Sequence, residues 1–305
     1  MRLHVLGSAG SGGLPQWNCG CANCVRTRIR AGGEPTGSDP TGPPRTQASL
    51  AISAGDARWS LVNASPDVRD QLARFSGLHP RPGTRSLPLD TIVLTSAELS
   101  DVLGLLVLRE SLPYRVLTTA WIRDALLDHN ATFRILAPAF GTLKIDEAFF
   151  LDRDEHLEAK LFPLPGKAPA WVQPHARGSA EATLGLRVVD KRTGQRAVYA
   201  PSLQRLDTAT LAELAEADLR FVDGTFFTPD ELRALRPGAP GAIALGHLPI
   251  SGPGGSLALL RGMRGRTLYT HLNNTNPVLD ASSADAAHVR AAGVEIACDG
   301  LTIDL

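Results

Sequence analysis

The chain has 305 residues, 43% of them hydrophobic and 20% charged, and its 31 Lys and Arg balance its 31 Asp and Glu. This is the composition of a globular protein with a sizeable core, and a net charge of zero supplies no field to draw in nucleic acid or an anionic membrane. An aromatic content of 5% argues against a base-stacking platform, four cysteines do not make a secreted disulfide framework, and no apolar stretch reaches membrane-spanning length, so a cytoplasmic protein is expected.

Arg2 to Gly7 alternates like a short strand, and Ser8 to Pro15 is a Gly-rich turn that delivers three cysteines. Residues 31–47 are rich in Gly, Pro and Thr and predict an irregular loop. Ser49–Ser53 and Trp59–Asn63, joined through Gly55-Asp56, give a hairpin signal. Ser65 as N-cap and Pro66 at the first helical position predict a helix through Phe75. Thr91–Thr95 predicts a buried strand, followed by a polar loop, Ser96 to Asp101, and an apolar helix from Val102 to Arg109. Arg115–Thr119 and the helix Ala120–Asp128 repeat that pattern. More strands and turns are expected over 145–200, then a helix from Thr208 to Ala217 capped by Asp207, and a strand Leu219–Asp223. Ile243–His247 and Thr267–His271 predict further strands, with a helix over Ser256–Arg261 between them. The helix Ser283–Ala292 and the strand Val294–Cys298 follow. No internal repeat and no linker divides the chain, so one α/β domain over 1–305 is expected, as a two-sheet sandwich flanked by helices.

Cys19-Gly-Cys21-Ala-Asn-Cys24 is the densest chemical signal. Three thiols within six residues converge on one ion at little entropic cost, and they supply three of the four ligands of a structural zinc site. The alternatives are a disulfide or unrelated buried thiols. A disulfide strands the third sulfur, and Cys-x-Cys is a strained pairing. Cys298 reads as a core thiol, with a fourth zinc ligand as the lesser alternative.

The polar residues at predicted strand ends form a second group. Asp223, His247 and His271 end three strands, and Glu98 and Asp101 lie in the loop after a fourth. Loops at strand ends are where a rigid scaffold presents a site. Imidazole and carboxylate groups from separate strands can hold a divalent ion with positions open for water or substrate. Singly, each such residue more often caps a turn or satisfies a core hydrogen bond; only their joint placement points to a metal. Gly7 to Gly13 is like a phosphate loop but lacks the Lys-Ser/Thr pair, so a tight turn is expected. Ser251 to Gly255 could offer N–H groups to an anion or simply start a helix. His129 and His175 are expected at the surface.

Taken together, Leu6-Gly-Ser-Ala9, Pro15-Gln-Trp-Asn-Cys19 through Cys24, Arg45-Thr-Gln47, Asn63-Ala-Ser-Pro-Asp67, Val222-Asp-Gly-Thr-Phe226, Gly246-His-Leu-Pro249, Ser251 to Gly255 and His271 to Pro277 resemble the PqqB family, the metallo-β-lactamase-fold proteins of pyrroloquinoline quinone biosynthesis. The resemblance covers most of the chain. It implies a four-layer αβ/βα sandwich of the metallo-β-lactamase fold, with the site at one edge of the two sheets and a structural zinc on Cys19, Cys21 and Cys24. It also implies an iron-dependent, dioxygen-using hydroxylation of the tyrosine ring in a Glu-Tyr-derived intermediate, so that a small molecule or short peptide is the expected substrate. A homodimer is left open.

The chain departs from that pattern in three places. Enzymes of this fold carry His-x-His-x-Asp-His after the strand at Thr95, and the family keeps a reduced version ending in Asp-His. Here Ser100 stands where Asp is expected and Asp101 where His is expected. The position of a metal-bridging Asp falls near Pro201, which has no ligand atom to offer, so a two-metal site is not expected. His247 and His271, with Asp101 or Glu98 and with Asp223 assisting, would form the two-His, one-carboxylate set that suits non-haem iron(II). Asn274 occupies the position at which related phosphodiesterases place the histidine that completes the cysteine site, and an amide oxygen is a poor partner for zinc beside thiolates. Three readings follow: a mononuclear metal hydroxylase; a metal-dependent phosphodiesterase or hydrolase, for which ligands are missing; and a non-catalytic carrier of quinone or precursor.

Overall fold

The computed structural model describes residues 1–31, 42–55, 57–110, 114–176 and 178–305. Most of the loop predicted at 31–47, and Asp56 of the predicted hairpin turn, lie outside the described residues.

The chain opens with β1 (Arg2–Gly7) and passes through the Gly-rich turn into α1 (Ala22–Ala31), a helix whose first turn carries Cys24. The hairpin of β2 (Ser49–Ser53) and β3 (Trp59–Val62) pairs in register, Leu50 opposite Val62. Then come α2 (Val68–Arg74), β4 (Leu89–Val93), α3 (Leu99–Val102), α4 (Gly104–Val107), β5 (Arg115–Thr119), α5 (Ala120–His129) and β6 (Phe140–Leu143). β7 (Ala148–Phe150), β8 (Leu157–Pro163), β9 (Leu184–Asp190) and β10 (Arg196–Ala200) form an antiparallel meander. α6 (Thr208–Ala215), β11 (Leu219–Asp223), α7 (Ala242–Leu245), α8 (Ser256–Leu260), β12 (Arg266–Thr270), α9 (Ala284–Ala291) and β13 (Val294–Ile296) follow, and β14 (Thr302–Asp304) returns to pair with β1.

Among the described residues these strands make two seven-stranded sheets, ordered β14-β1-β2-β3-β4-β5-β6 and β13-β12-β11-β10-β9-β8-β7. In each, one half is antiparallel and the other parallel, β3 to β6 in the first and β10 to β13 in the second. Parallel strands need helical crossovers, which cover the outer faces and bury the strands on both sides. This explains why β4 and β11 are buried along their whole length. One core fills the space between the sheets, from Leu3, Ile52 and Ile92 to Leu186, Phe221 and Leu268. A second lies outside the second sheet, where Leu14, Cys21 and Cys24 pack with Val222, Tyr269 and Val289. Two sheets inside two helical layers are the four-layer sandwich expected.

Several local expectations need correction. Ile243–His247 is not a strand: α7 runs from Ala242 to Leu245, and Gly246, at φ 105° in the left-handed region, turns the chain into His247. The apolar run is too short to separate a buried helical turn from a strand by pattern. Ser65 does not cap α2. Its hydroxyl meets the Gln71 side chain, the helix starts at Val68, and Asp67, at the N-cap, accepts instead from the Gln47 N–H at 2.9 Å. Asp207, by contrast, caps α6 as expected by accepting from the Thr210 N–H at 2.9 Å. The loop expected over Ser96–Asp101 ends early, since Glu98 is the N-cap of α3 and Asp101 lies within that helix, and the helix expected from Val102 to Arg109 is divided among the end of α3, α4 and a short 3₁₀ turn; Gly104 packs on the Ser65 carbonyl so closely that a Cβ would lie 2.2 Å from it. Cys298 lies past the end of β13 and is half-buried, not a strand thiol in the core. Among the described residues, no helix is long and apolar enough to cross a membrane.

Candidate metal centres

The C-terminal ends of the parallel strands in both sheets converge on one cavity of about 1010 Å³. Gly10 to Gly12 and Trp17 to Gly20 border it on one side, Ser96, Glu98, Ser100 and Asp101 on another, and Thr225, His247, His271 and Asn274 on a third. The Gly-rich turn is stitched between the sheets: Ala9 bridges both Gln47 and Leu272, and Gly10 donates to the Leu272 carbonyl at 2.8 Å. It is a tight turn positioned by backbone bonds, as its missing lysine implied. Ser251 to Gly255 lies away from the cavity and leads into α8. His129 and His175 are exposed and stack on each other at 5.2 Å.

Asp223 ends β11 with a fully buried carboxylate that is saturated with donors. Oδ1 accepts from the Thr225 N–H at 2.9 Å and the Thr225 hydroxyl at 2.6 Å; Oδ2 accepts from the Leu203 N–H at 3.0 Å and from His247 Nδ1 at 2.8 Å. A carboxylate has about four lone-pair sites, and all are taken. Burial alone would raise its pKa, but His247, His271 and the Thr225 hydroxyl hold it below the usual value. Asp223 therefore orients His247 and raises its pKa rather than reaching into the cavity.

His271 follows β12 at φ 58°, a left-handed conformation that a non-glycine residue adopts at a cost of order 1 kcal/mol. Its Nδ1 lies 2.8 Å from the Thr225 hydroxyl, which also lies 3.0 Å from His247 Nδ1. The two rings stack with centroids 5.2 Å apart. Burial, with the neighbouring His247, pushes the His271 pKa down to about 4 and keeps the ring neutral; burial also acts on His247, but Asp223 outweighs it and raises that pKa. Asp223, His247 and His271 have ligand atoms within 4.8 Å of one another.

Glu98 and Asp101 share the cavity with the two imidazoles but stand outside that 4.8 Å cluster. Asp101 is buried, bonded through Oδ2 to the Ser96 hydroxyl, and burial pushes its pKa up to about 7. Burial also raises Glu98, against the pull of Lys167 and His247. Ser100, which replaces the expected carboxylate, accepts from the Ser11 hydroxyl at 3.3 Å, and Pro201 sits on the cavity wall. Among the described residues, the cavity's other ligand cluster is that of the cysteines, which reaches its border through Cys19.

Cys19, Cys21 and Cys24 are free thiols with sulfurs within 4.8 Å of one another. Backbone N–H groups of Cys21, Cys24 and Gln16 donate to Cys19, Cys21 and Cys24 sulfurs at 3.4, 3.4 and 3.3 Å. Asn274 adds its Nδ2 amide to the Cys21 and Cys24 sulfurs at 3.4 and 3.3 Å, so it presents donors to the thiols rather than its side-chain oxygen. Burial raises the Cys21 thiol, but the hydrogen bonds around it win and lower it; burial pushes Cys24 up to about 12, with Cys21 adding to the rise. Donors aimed at three sulfurs that repel one another as anions are the environment a dication relieves. Cys298 lies outside the cluster.

Thr225 escaped the sequence reading as a functional residue, and so did Lys167 and Arg236 on the cavity wall. The signal for Thr225 was its place two residues after Asp223, in Asp-Gly-Thr, where a turn folds its hydroxyl back onto the carboxylate.

A beta-lactamase superfamily domain matches residues 58–272. Coenzyme PQQ synthesis protein B of Ruegeria pomeroyi is 39% identical over all of both chains, and that of Rhizobium meliloti is 38% identical over 100% of this chain and 98% of its own. The crystal structure of Zn(2+)-bound PqqB from Methylobacterium extorquens superposes with a TM-score of 0.90 at 36% identity, covering all of both chains. A diphosphatase from the PhnP family, at 20% identity and a TM-score of 0.66, shares the fold. Given full-length identity near 38% and this architecture, the chain belongs to the coenzyme PQQ synthesis protein B family of the beta-lactamase superfamily.

Proposed function

We propose that this protein acts in pyrroloquinoline quinone biosynthesis, or in the making of a related peptide-derived product, as a mononuclear iron-dependent hydroxylase of a tyrosine-like or short-peptide substrate. The observation that carries the reading is the donor set of the cavity: two imidazoles braced from behind, with the buried Asp101 and the half-buried Glu98 sharing the same cavity. A hydrolase of this fold that activates water between two ions needs ligands that Ser100 and Pro201 do not supply. Two imidazoles and one carboxylate, from Glu98 or Asp101, suit iron(II) with positions left open.

Bound there, iron(II) would supply the dioxygen chemistry, and the protein would supply binding, orientation and a dry pocket. His247 and His271 would hold the metal, and Asp223 and Thr225 would keep the two rings in place. Lys167 and Arg236 on the wall, with the largely exposed Trp17 at the rim, would receive an aromatic substrate bearing acidic groups. Cys19, Cys21 and Cys24 would hold a zinc ion, as the zinc-bound relative supports.

The test is reconstitution. Chelated protein reloaded with iron(II) and given a Glu-Tyr dipeptide in air, with ascorbate as the two-electron reductant that takes the second oxygen atom to water, should form a product one oxygen atom heavier, and the His271→Ala variant should form none. Tight binding of the dipeptide with no such product, over the range of iron loading, would replace the hydroxylase with the carrier reading.

A further inference from the structure

The hydrogen bonds behind the two imidazoles settle where each ring carries its proton, and one hydroxyl decides it for His271. Asp223 accepts only, so its 2.8 Å contact with His247 Nδ1 is a hydrogen bond only if that nitrogen holds the proton. Thr225 has one hydroxyl proton and several partners: Asp223 Oδ1 at 2.6 Å, the His271 carbonyl at 2.9 Å, His271 Nδ1 at 2.8 Å and His247 Nδ1 at 3.0 Å. A buried anion at the shortest distance takes the proton ahead of a neutral carbonyl. The hydroxyl oxygen can then only accept from His271, whose Nδ1 must carry a proton. We infer that Thr225 is a positioning residue that relays the Asp223 carboxylate to His271 and sets both rings as Nδ1–H, leaving both Nε2 lone pairs to a ligand.

The role is specific to one ring. His247 contacts Asp223 directly and keeps its tautomer without Thr225, whereas the side-chain partner of His271 Nδ1 is Thr225, at 2.8 Å, with the residue's own backbone carbonyl as a second, weaker acceptor. Valine has the shape of threonine and no hydroxyl, so Thr225→Val removes the relay while retaining the buried methyl volume. Serine retains the hydroxyl.

The experiment is ring ¹⁵N NMR on metal-free, ¹⁵N-labelled protein at mildly alkaline pH, with iron(II) titration under nitrogen as the second measurement. In the native protein both rings should show protonated Nδ1 and bare Nε2. Thr225→Val should move the His271 nitrogens toward the Nε2–H form and leave His247 unchanged, and Thr225→Ser should restore the native pattern. Iron(II) affinity at the histidine site should fall about 10- to 100-fold in Thr225→Val, the range for lost support behind a metal-ligating histidine, while zinc on the cysteines stays at one ion per chain. A native His271 protonated on Nε2, or a Thr225→Val protein whose His271 nitrogens do not move, overturns the inference. If the valine variant does not fold, Thr225→Ala is read in its place, with the same shift of the His271 nitrogens expected. The inference rests on the reading of His247 and His271 as the metal's ligands only for its consequence. The ring signals are read without metal, so failure of the hydroxylase assay and failure of this relay are separate results.

Discussion

Two aspartates, one in the short helix α3 beyond β4 of the first sheet and one at the end of β11 in the second, show how differently the same chemistry can be set. Asp101 follows β4 and Asp223 ends β11; both carboxyl groups are buried and both border the same corner of the molecule. Asp223 receives two backbone N–H groups, a hydroxyl and an imidazole, and is held as a carboxylate. Asp101 has the Ser96 hydroxyl, and burial raises its pKa to about 7. Burial is the shared penalty, and the number of donors decides which way each group goes. The second sheet thus presents a finished, rigid imidazole pair. The first presents acids whose charge depends on what arrives in the cavity.

The largest expected break in this comparison is Asp223→Ala. It strips a buried ion pair of one partner and leaves the Leu203 and Thr225 N–H groups without an acceptor, so denaturant unfolding should show a loss of about 3–5 kcal/mol. A loss below 1 kcal/mol would mean that the network is not braced as described. Next is the pH dependence of Asp101. Its folded pKa lies above the unfolded value, so between about pH 4 and 7 the folded state keeps a proton that the unfolded state has released. Stability of the chelated protein should therefore fall as pH rises through that window, by up to about 4 kcal/mol, and level off above it. Asp101→Asn should flatten that part of the curve, and an unchanged slope would remove Asp101 as its source. Cys21→Ser tests whether the thiol centre is independent of this contrast. It should cost one zinc per chain and, where free zinc is about 100 times its Kd, about 3 kcal/mol, with the pH slope intact. The smallest effect on stability is that of Trp17→Ala. At 86% exposure it should change stability by no more than about 0.5 kcal/mol, yet weaken binding of an aromatic dipeptide in calorimetry; equal binding would remove Trp17 from the rim of the site.

Much of this was legible from the chain. The strand β11 ending in Asp223, the hairpin of β2 and β3, the cap of α6 by Asp207 and the convergence of three sulfurs follow from local pattern and spacing. What was not legible depends on distant partners. His247 reads as the end of a strand because Ile243 to Leu245 is a short apolar run, whereas it is delivered by a helical turn and a left-handed glycine. The division of labour between Asp223 and the acids of the first sheet appears only when Leu203 and Thr225 are seen folded around Asp223. Asn274 could be placed near the sulfurs by position, but that it turns its NH₂ toward them is a matter of packing across more than 250 residues.

His271 and Asn274 lie on one short stretch of chain, with the histidine at the cavity and the asparagine against the sulfurs. The two centres therefore share a tether. An oxidant that bridges two of the thiols would displace the Asn274 amide and tug on the imidazole three residues upstream, without entering the cavity itself. Protein stored without reductant should lose affinity for added iron(II) in step with its thiol count, and a thiol reagent should restore the two together.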